Sequence, residues 1–271
     1  MMRSLWSAAS GMISQQTNVD TIANNLANVN TTGYKTEKAE FKTLLYQTIQ
    51  SPTTSANGEN KPIPAQVGLG TRTASITSMF KQGPLFASDS PTAFAIEGQG
   101  FFGVRDGNGE VLYTRNGDLK LSLNSDGGLV LTNNNGYPVL DVNGNPITFP
   151  QGTISSKLSV GGDGRFYRIE DDKSLTDLGI SIGLWQFNNP AGLEKTSGTM
   201  FKVSDASGPA INENTANVVR SSIKQGYLEG SNVQVADEMV NLIVAQRAYE
   251  MNSKAIQAAD EMLGQANQLK R

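Results

Sequence analysis

Leu5-Trp-Ser-Ala-Ala-Ser-Gly-Met-Ile-Ser-Gln-Gln-Thr-Asn-Val-Asp-Thr-Ile-Ala-Asn-Asn-Leu26 decides the architecture of this chain. Leu5, Ala9, Met12, Gln16, Val19, Ala23 and Leu26 recur at intervals of 4-3-4-3-4-3, the spacing of a coiled-coil seam. Ile13, Ile22 and Val29 widen the stripe. The helix should stop in Asn28–Gly33, where Gly33 can take a left-handed cap. The other end of the chain answers with the same alternation: Val235, Met239, Leu242, Gln246, Tyr249, Ser253, Ile256, Asp260 and Leu263. Val240, Ile243, Ala255 and Ala259 add apolar area beside that seam. Ser231 and Gln234 read as a capping box at its start. Lys270 and Arg271 sit where a helix C-terminus favours cations.

Two terminal helices with one pattern predict pairing with each other and with copies of themselves. From pattern alone an ordinary two-helix hairpin closing one domain reads equally well. Gln16, Gln246, Ser253 and Asp260 weaken the seam but can fix register and partner number. Helices this soft are expected to order fully only with partners.

Composition removes most chemistry. The 271 residues include no Cys and no His. That excludes disulfides, thiolate and imidazole metal sites, cysteine nucleophiles and Ser-His-Asp triads. Lys and Arg number 22 and Asp and Glu 25, a net charge of -3, which gives no general attraction to nucleic acid or an anionic membrane. No run approaches the roughly eighteen apolar residues of a membrane span. Leu5–Ile13 is broken by Ser and Gly and runs on into a helix, so no cleaved signal peptide is expected.

Between the ends the chain reads as short strands. Tyr34–Tyr46 could be a short helix or an extended arm. Residues 47–70 hold Pro52, Asn57-Gly58, Pro62, Pro64, Gly68 and Gly70, which is loop chemistry. Such a long loop is uncommon unless it has a use. Gly70–Phe80 alternates like a strand. From Pro91, apolar runs at Phe101–Val104, Val111–Thr114, Leu119–Leu123, Leu129–Thr132, Tyr137–Leu140 and Ile147–Phe149 are separated by Asp106–Gly109, Asp126–Gly128, Asn135-Gly136 and Asn143-Gly144. Asn-Gly and Asp-Gly are hairpin signals because both residues tolerate positive φ. Leu158–Val160, Arg165–Ile169, Ile182–Phe187 and Met200–Val203 continue the pattern.

Three apparent motifs fail on inspection. Gly98-Gln-Gly100-Phe-Phe-Gly103 spells a dinucleotide fingerprint, but hairpin chemistry follows where a helix is needed. A tight turn with buried Phe101 and Phe102 is the better reading. Asp141-Val-Asn143-Gly-Asn145 opens like a calcium loop, but has Pro146 at the sixth position and Gly152 at the twelfth. Glu170-Asp171-Asp172, flanked by Arg168 and Lys173, reads as a solvated turn.

Ala23-Asn-Asn-Leu-Ala-Asn-Val-Asn-Thr-Thr-Gly-Tyr-Lys35 resembles the N-terminal signature of the flagellar rod, hook and hook-associated family. Ile96-Glu-Gly-Gln-Gly-Phe-Phe102 with Tyr113-Thr-Arg-Asn-Gly117 resembles its central signature. Gly226-Tyr-Leu-Glu-Gly-Ser-Asn-Val233 and Glu238–Lys254 resemble its C-terminal signature. The opening Met1-Met-Arg-Ser-Leu-Trp6 and the length are most similar to its distal-rod members, with proximal rod and hook members near.

The resemblance implies an α+β chain. A coiled-coil layer of N- and C-terminal helices (1–33 and 231–271) would surround an export channel. An extended arm and rod-specific loop (34–90), a central, mainly antiparallel β domain (91–203) and a return arm (204–230) would complete it. It implies a structural subunit that polymerises helically with itself into a rigid drive shaft passing torque from motor to hook. Expected neighbours are proximal rod proteins, the hook protein, P- and L-ring proteins and the flagellar type III export apparatus. The expected location is the flagellar basal body, with no cofactor, no metal and no catalytic residue. Residues expected to matter are the seam positions Leu5, Ala9, Met12, Val19, Leu26, Val235, Met239, Leu242, Ile243, Tyr249, Ile256 and Leu263. An arm turn of Asn24, Asn25, Asn28, Asn30, Gly33 and Tyr34, and a signature turn of Gly98, Gly100, Phe101 and Phe102, join them. A carboxylate-based, glycan-cleaving enzyme and a surface adhesin on a stalk are the readings from other classes.

Overall fold

The computed structural model describes residues 2–50, 65–124, 127–150, 153–170, 172, 174–215 and 218–268. They form α+β structure with two long helices, α1 (Met2–Ala27) and α2 (Val235–Gln268), and short, mainly antiparallel strands between. Contacts divide the chain into two units. One holds Met1–Ala27, Glu37–Thr77 and Gln234–Arg271; the other holds Asn28–Thr36 and Ser78–Val233.

In the first unit α1 and α2 pack side by side. Gly11 meets Asn252, while Gln16 and Val19 share a groove with Gln246 and Tyr249. Rising numbers on one helix thus meet falling numbers on the other, so the pair is antiparallel. Apart from Ile22, the most buried positions are small or polar: Ala8, Ser14, Thr21 and Asn25 on α1, and Glu238, Ala245 and Ala259 on α2. A Cβ on Gly11 would sit 2.9 Å from Asn252 Nδ2, so the absence of a side chain there lets the helices approach.

The stop of α1 agrees with the sequence reading, while the expected caps of both helices do not form. α1 stops at Ala27, and Gly33 serves a later turn at φ 70° instead of capping the helix. α2 starts at Val235, with Glu238 N–H bonding Gln234 O at 3.0 Å. Ser231 Oγ accepts from Val233 N–H at 3.3 Å, so Ser231 and Gln234 do not form the expected box. Lys270 and Arg271 lie outside the described residues.

The segment read as helix or arm is a strand, Glu37–Thr43, paired with Thr71–Ser78. The stretch read as loop carries a ribbon instead, Tyr46–Gln50 antiparallel to Ala65–Gly68. Its Asn57-Gly58, Pro52, Pro62 and Pro64 lie outside the described residues.

The second unit centres on a six-stranded antiparallel sheet. Its order is Glu194–Lys195, Met200–Lys202, Val111–Thr114, Phe101–Arg105, Leu184–Gln186 and Ile211–Asn212. Side chains alternate across a strand. Phe102, Val104 and Leu112 therefore enter one apolar cluster with Leu131, Phe166 and Met200, while Phe101 and Tyr113 enter another with Trp185, Phe187 and Phe201. Both faces of the sheet are covered, which is why adjacent phenylalanines are 1% and 0% exposed. In the second cluster Phe101 meets Phe187 edge-on at 5.5 Å and Tyr113 meets Phe187 at 4.9 Å.

The expected hairpin turns fall between strands, with positive φ at Gly109, Gly127, Gly136 and Gly144. The sequence reading missed Leu175–Ser181, a mostly exposed strand whose pairing shifts register near Gly179 at φ 68°. Residues 204–230, read as an arm, carry three strands: Ile211–Asn212, Ser222–Gln225 and Tyr227–Glu229. The last two pair with Phe94–Glu97 and Leu85–Ala87.

Phe102→Ala should lower the unfolding free energy by about 3–5 kcal/mol, the range for emptying a buried aromatic site. Leu123→Ala, at a side chain 75% exposed, should change it by no more than about 0.5 kcal/mol. Urea denaturation of the two variants checks the contrast; equal losses would contradict the two-faced core.

Candidate functional site

Three stretches far apart in sequence each send one charged side chain to a single buried point in the second unit. Lys35 Nζ lies 2.7 Å from Glu229 Oε1, with both side chains at 0% exposure. Arg115 Nη1 lies 3.4 Å from Glu229 Oε2. Lys35 Nζ also donates to Lys81 O at 2.8 Å, and Gly83 N–H donates to Glu229 Oε1 at 2.9 Å. Arg115 Nη2 donates to Gly98 O at 2.7 Å, and the guanidinium carbon sits 5.1 Å from the Phe101 ring centroid. Arg115 Nε finds no partner among the described residues. Two cations thus share one carboxylate where water is excluded. Burial pushes the Lys35 ammonium below the usual lysine range; Glu229 opposes that shift and Arg115 adds to it. Burial lowers Arg115 as well, with Glu229 again opposing.

Neighbouring residues of the arm turn hold this point in place. Gly33 N–H donates to Glu229 O at 2.8 Å. A Cβ on Gly33 would lie 2.6 Å from Asn116 N, so both its φ and the close approach require glycine. Tyr34 is buried and Asn28 Oδ1 accepts from Thr31 Oγ1 at 3.1 Å. Asn232 acts like a peptide group: its Oδ1 accepts from Thr36 N–H and Oγ1 at 2.7 Å, and its Nδ2 donates to Met79 O at 2.8 Å. In the first unit Asn25 does the same to Glu37, donating to its O and accepting from its N–H, both at 2.8 Å. Asn24 and Asn30 are exposed.

The signature turn joins strand Phe94–Glu97 to strand Phe101–Arg105, so no helix follows Gly98-Gln99-Gly100. Gly98 has φ 136°. Gly100 N–H donates to Ser221 Oγ at 2.9 Å, and Ser221 Oγ donates to buried Glu213 Oε1 at 2.8 Å. A Cβ on Gly100 would press on Glu213. These glycines admit protein, not a pyrophosphate. The Asp141 stretch is a hairpin turn closed by Asp141 N–H to Asn145 O at 2.7 Å. Arg168 pairs with Glu170 at 3.3 Å on the surface, while Asp171 and Lys173 lie outside the described residues. Among the described residues no cluster could hold a metal, and no helix is long and apolar enough to cross a membrane.

The seam positions divide. Leu5, Ala9, Met12, Val19, Leu26, Leu242, Ile256 and Leu263 are half-buried. Val235, Met239, Ile243 and Tyr249 are exposed by 41%, 53%, 56% and 43%. Val19 and Tyr249 do come together, lining with Gln16, Gln246 and Glu250 a groove of about 380 Å³ between the helices. The best-buried stripe, through Ala8, Ile22, Asn25, Glu238, Ala245 and Ala259, runs one residue N-terminal to the seam. Counting large apolar residues overlooks it because its members are mostly small or polar.

Glu229→Gln should destabilise the chain by about 3–5 kcal/mol, because it leaves two buried cations without an anion. Glu110→Gln breaks the surface pair with Lys202, 2.7 Å apart and half-exposed, and should cost less than about 1 kcal/mol. Denaturant unfolding separates the two cases.

Comparison with known proteins agrees with the three converging stretches. The family described as flagellar basal body rod FlgEFG protein C-terminal matches residues 224–269. The flagellar hook protein FlgE/F/G D1 domain matches 95–167, and the flagella basal body rod protein family matches 5–35. Lys35, Arg115 and Glu229 fall one in each. The flagellar basal-body rod protein FlgG of Borreliella burgdorferi is 44% identical over 273 residues, spanning 100% of both chains. FlgG of Agrobacterium fabrum is 41% identical over 96% of this chain and 97% of its own. FlgG of Caulobacter vibrioides is 38% identical over 99% and 100%. The chain belongs to the FlgG family of flagellar basal-body rod proteins, which are structural components and not enzymes.

Proposed function

We propose that the chain is a subunit of the distal rod, polymerising helically through its terminal helices into a stiff shaft that carries torque from motor to hook and encloses an export channel. One observation carries the reading. The first half of α2 carries apolar side chains among its charged and polar ones that the single chain leaves uncovered: Ala245 is buried, while Met239, Val240, Ile243, Val244 and Met251 are 53–66% exposed. Large apolar side chains exposed together on one element mark an interaction surface. On this reading those exposed apolar side chains of α2 await neighbouring copies. Contacts of one surface with a different surface on the next copy, when the rotation does not close, give an open helical filament.

On this reading the seam residues Val235, Met239, Ile243 and Tyr249 become buried on assembly, at roughly 25 cal/mol per Å² of apolar area. That gain offsets the ordering of side chains held between copies. The other proposed neighbours are proximal rod proteins, the hook protein, P- and L-ring proteins and the type III export apparatus. Export without a cleaved signal peptide belongs to the same proposal.

Ile243→Asp tests the seam without touching the folded monomer. The side chain is 56% exposed in the single chain, so its unfolding free energy should move by no more than about 0.5 kcal/mol. In the polymer the carboxylate would be desolvated beside apolar groups, a cost of several kcal/mol. Motility and basal-body yield should be lost while thermal unfolding is unchanged. Leu26→Asp should lose both, since Leu26 is already half-buried. Normal rods from Ile243→Asp would remove α2 from the assembly interface.

A further inference from the structure

The uncovered side of α2 carries sulfur. The chain has no cysteine, so the thioethers of its 8 methionines are its only sulfur. Met200 is 2% exposed in the core of the second unit, and Met12 is half-buried. Met251 is 66% and Met262 51% exposed. At about 100° of helix per residue, Val240, Val244, Met251, Ala255, Ala258 and Met262 fall within about 60° of one another. All six are exposed. The stripe of α2 buried on α1, marked by Glu238, Ala245 and Ala259, is centred about 100° away around the helix. Asp237, in the first turn, is the one charged residue that shares the exposed strip among the described residues, and Met239 lies well outside it. The strip is a second apolar side of α2 with two thioethers on it.

A two-electron oxidant of the peroxide class converts an exposed thioether to a sulfoxide. A sulfur lone pair forms the S–O bond, the O–O bond breaks, and the remaining oxygen leaves as water. The methionine is oxidised and the peroxide reduced. A flexible apolar side chain that can fill irregular gaps between helices thereby gains a polar oxygen. Buried among valines and alanines, that oxygen has no donor to meet it, and its desolvation opposes burial. We propose that Met251 and Met262 are oxidation sites that decide whether the subunit assembles. With both thioethers reduced, the strip packs on a neighbouring copy; with both as sulfoxides, it does not. In the polymer the two sulfurs are enclosed, so the modification acts on the free subunit, and methionine sulfoxide reductases reverse it there. The proposal rests on the reading of the chain as a self-assembling subunit.

Hydrogen peroxide treatment of the purified full chain tests it. Sulfoxides are mapped by peptide mass spectrometry, polymer is measured by light scattering and electron microscopy, and thermal unfolding checks that each sample is folded. Oxidised parent should form about tenfold less polymer or lower still. Met251→Leu/Met262→Leu keeps the strip apolar at similar volume. It should polymerise like the parent and go on doing so after peroxide, although Met79 and Met239, 40% and 53% exposed, stay open to oxidation. Met251→Gln/Met262→Gln should lose assembly with no oxidant present. Parent polymerised first and treated afterwards should gain little sulfoxide at the two positions. Any of four results overturns the proposal: oxidised parent that assembles normally, a leucine variant that peroxide still blocks, a glutamine variant that assembles like the parent, or polymer whose Met251 and Met262 oxidise as fast as in the free subunit. If oxidised parent unfolds, the glutamine variant decides the matter. If the leucine variant forms no polymer, oxidised parent is treated with sulfoxide reductases instead; polymer that returns as Met251 and Met262 are reduced supports the proposal, and none overturns it. A parent that forms no polymer before oxidation overturns the self-assembly reading, and this proposal with it.

Discussion

Glu229 holds a carboxylate at a place closed to water, and the second unit is arranged around answering it. Lys35 comes from the turn region after α1, Arg115 from the end of a central strand, and Glu229 from the last strand before α2. None of the three is tolerable there without the others, because an isolated charge in an apolar interior is far costlier than a paired one. The main chain takes part too. Gly33, Lys81, Gly83 and Gly98 each give or take a hydrogen bond at this point. Separate passages of the chain are thereby held to one register. Replacing all three charges by apolar groups could leave stability intact, as buried ion pairs are weak stabilisers in themselves. What the ions supply is direction: an apolar cluster accepts many arrangements, and a 2.7 Å ion pair accepts few.

The central sheet depends on the same point. Arg115 continues the strand that carries Tyr113 and Thr114, and its guanidinium lies over Phe101. Phe101 and Phe102 then fix which cluster lies on which face, since consecutive residues of a strand point oppositely. Gly103 follows because Trp185 crosses above it and a Cβ would strike the ring. Glycine, aromatic and ion are thus parts of one packing problem. Their density in the family signatures has a structural cause and requires no ligand.

The first unit solves a different problem. Its helices approach closely through Ala8, Gly11, Ala245 and Ala259, and their larger apolar residues flank that contact. A monomeric enzyme would be expected to bury such residues. A subunit of a polymer has reason to leave them at the surface, where neighbouring copies can supply the missing side of the core. Exposed apolar area is an aggregation hazard in a free chain and an adhesive in an ordered one. The difference lies in register, which charges and polar seam residues such as Gln16 and Gln246 can set.

Much of the secondary structure was legible in the sequence. The heptad rhythm marked both helices, and Asn-Gly and Asp-Gly pairs marked the hairpin turns, because each signal is local: it follows from 3.6 residues per turn or from the positive φ of glycine. The absence of Cys and His was equally decisive for excluded chemistry. Strands such as Leu175–Ser181 and Tyr46–Gln50 escaped notice because they are largely exposed and lack the alternation that burial imposes. Of the buried stripe of the helix pair only Ile22 and Ala259 were marked, because Ala8, Asn25, Glu238 and Ala245 carry little hydrophobic signal. Lys35, Arg115 and Glu229 were present in the three signature stretches, yet nothing along the chain joins residues separated by 114 and 194 positions. A charged residue reads as surface until its partners are known. Only the tertiary structure decides that these three are interior, because the energy that keeps a charge buried belongs to the pairing and not to any residue alone.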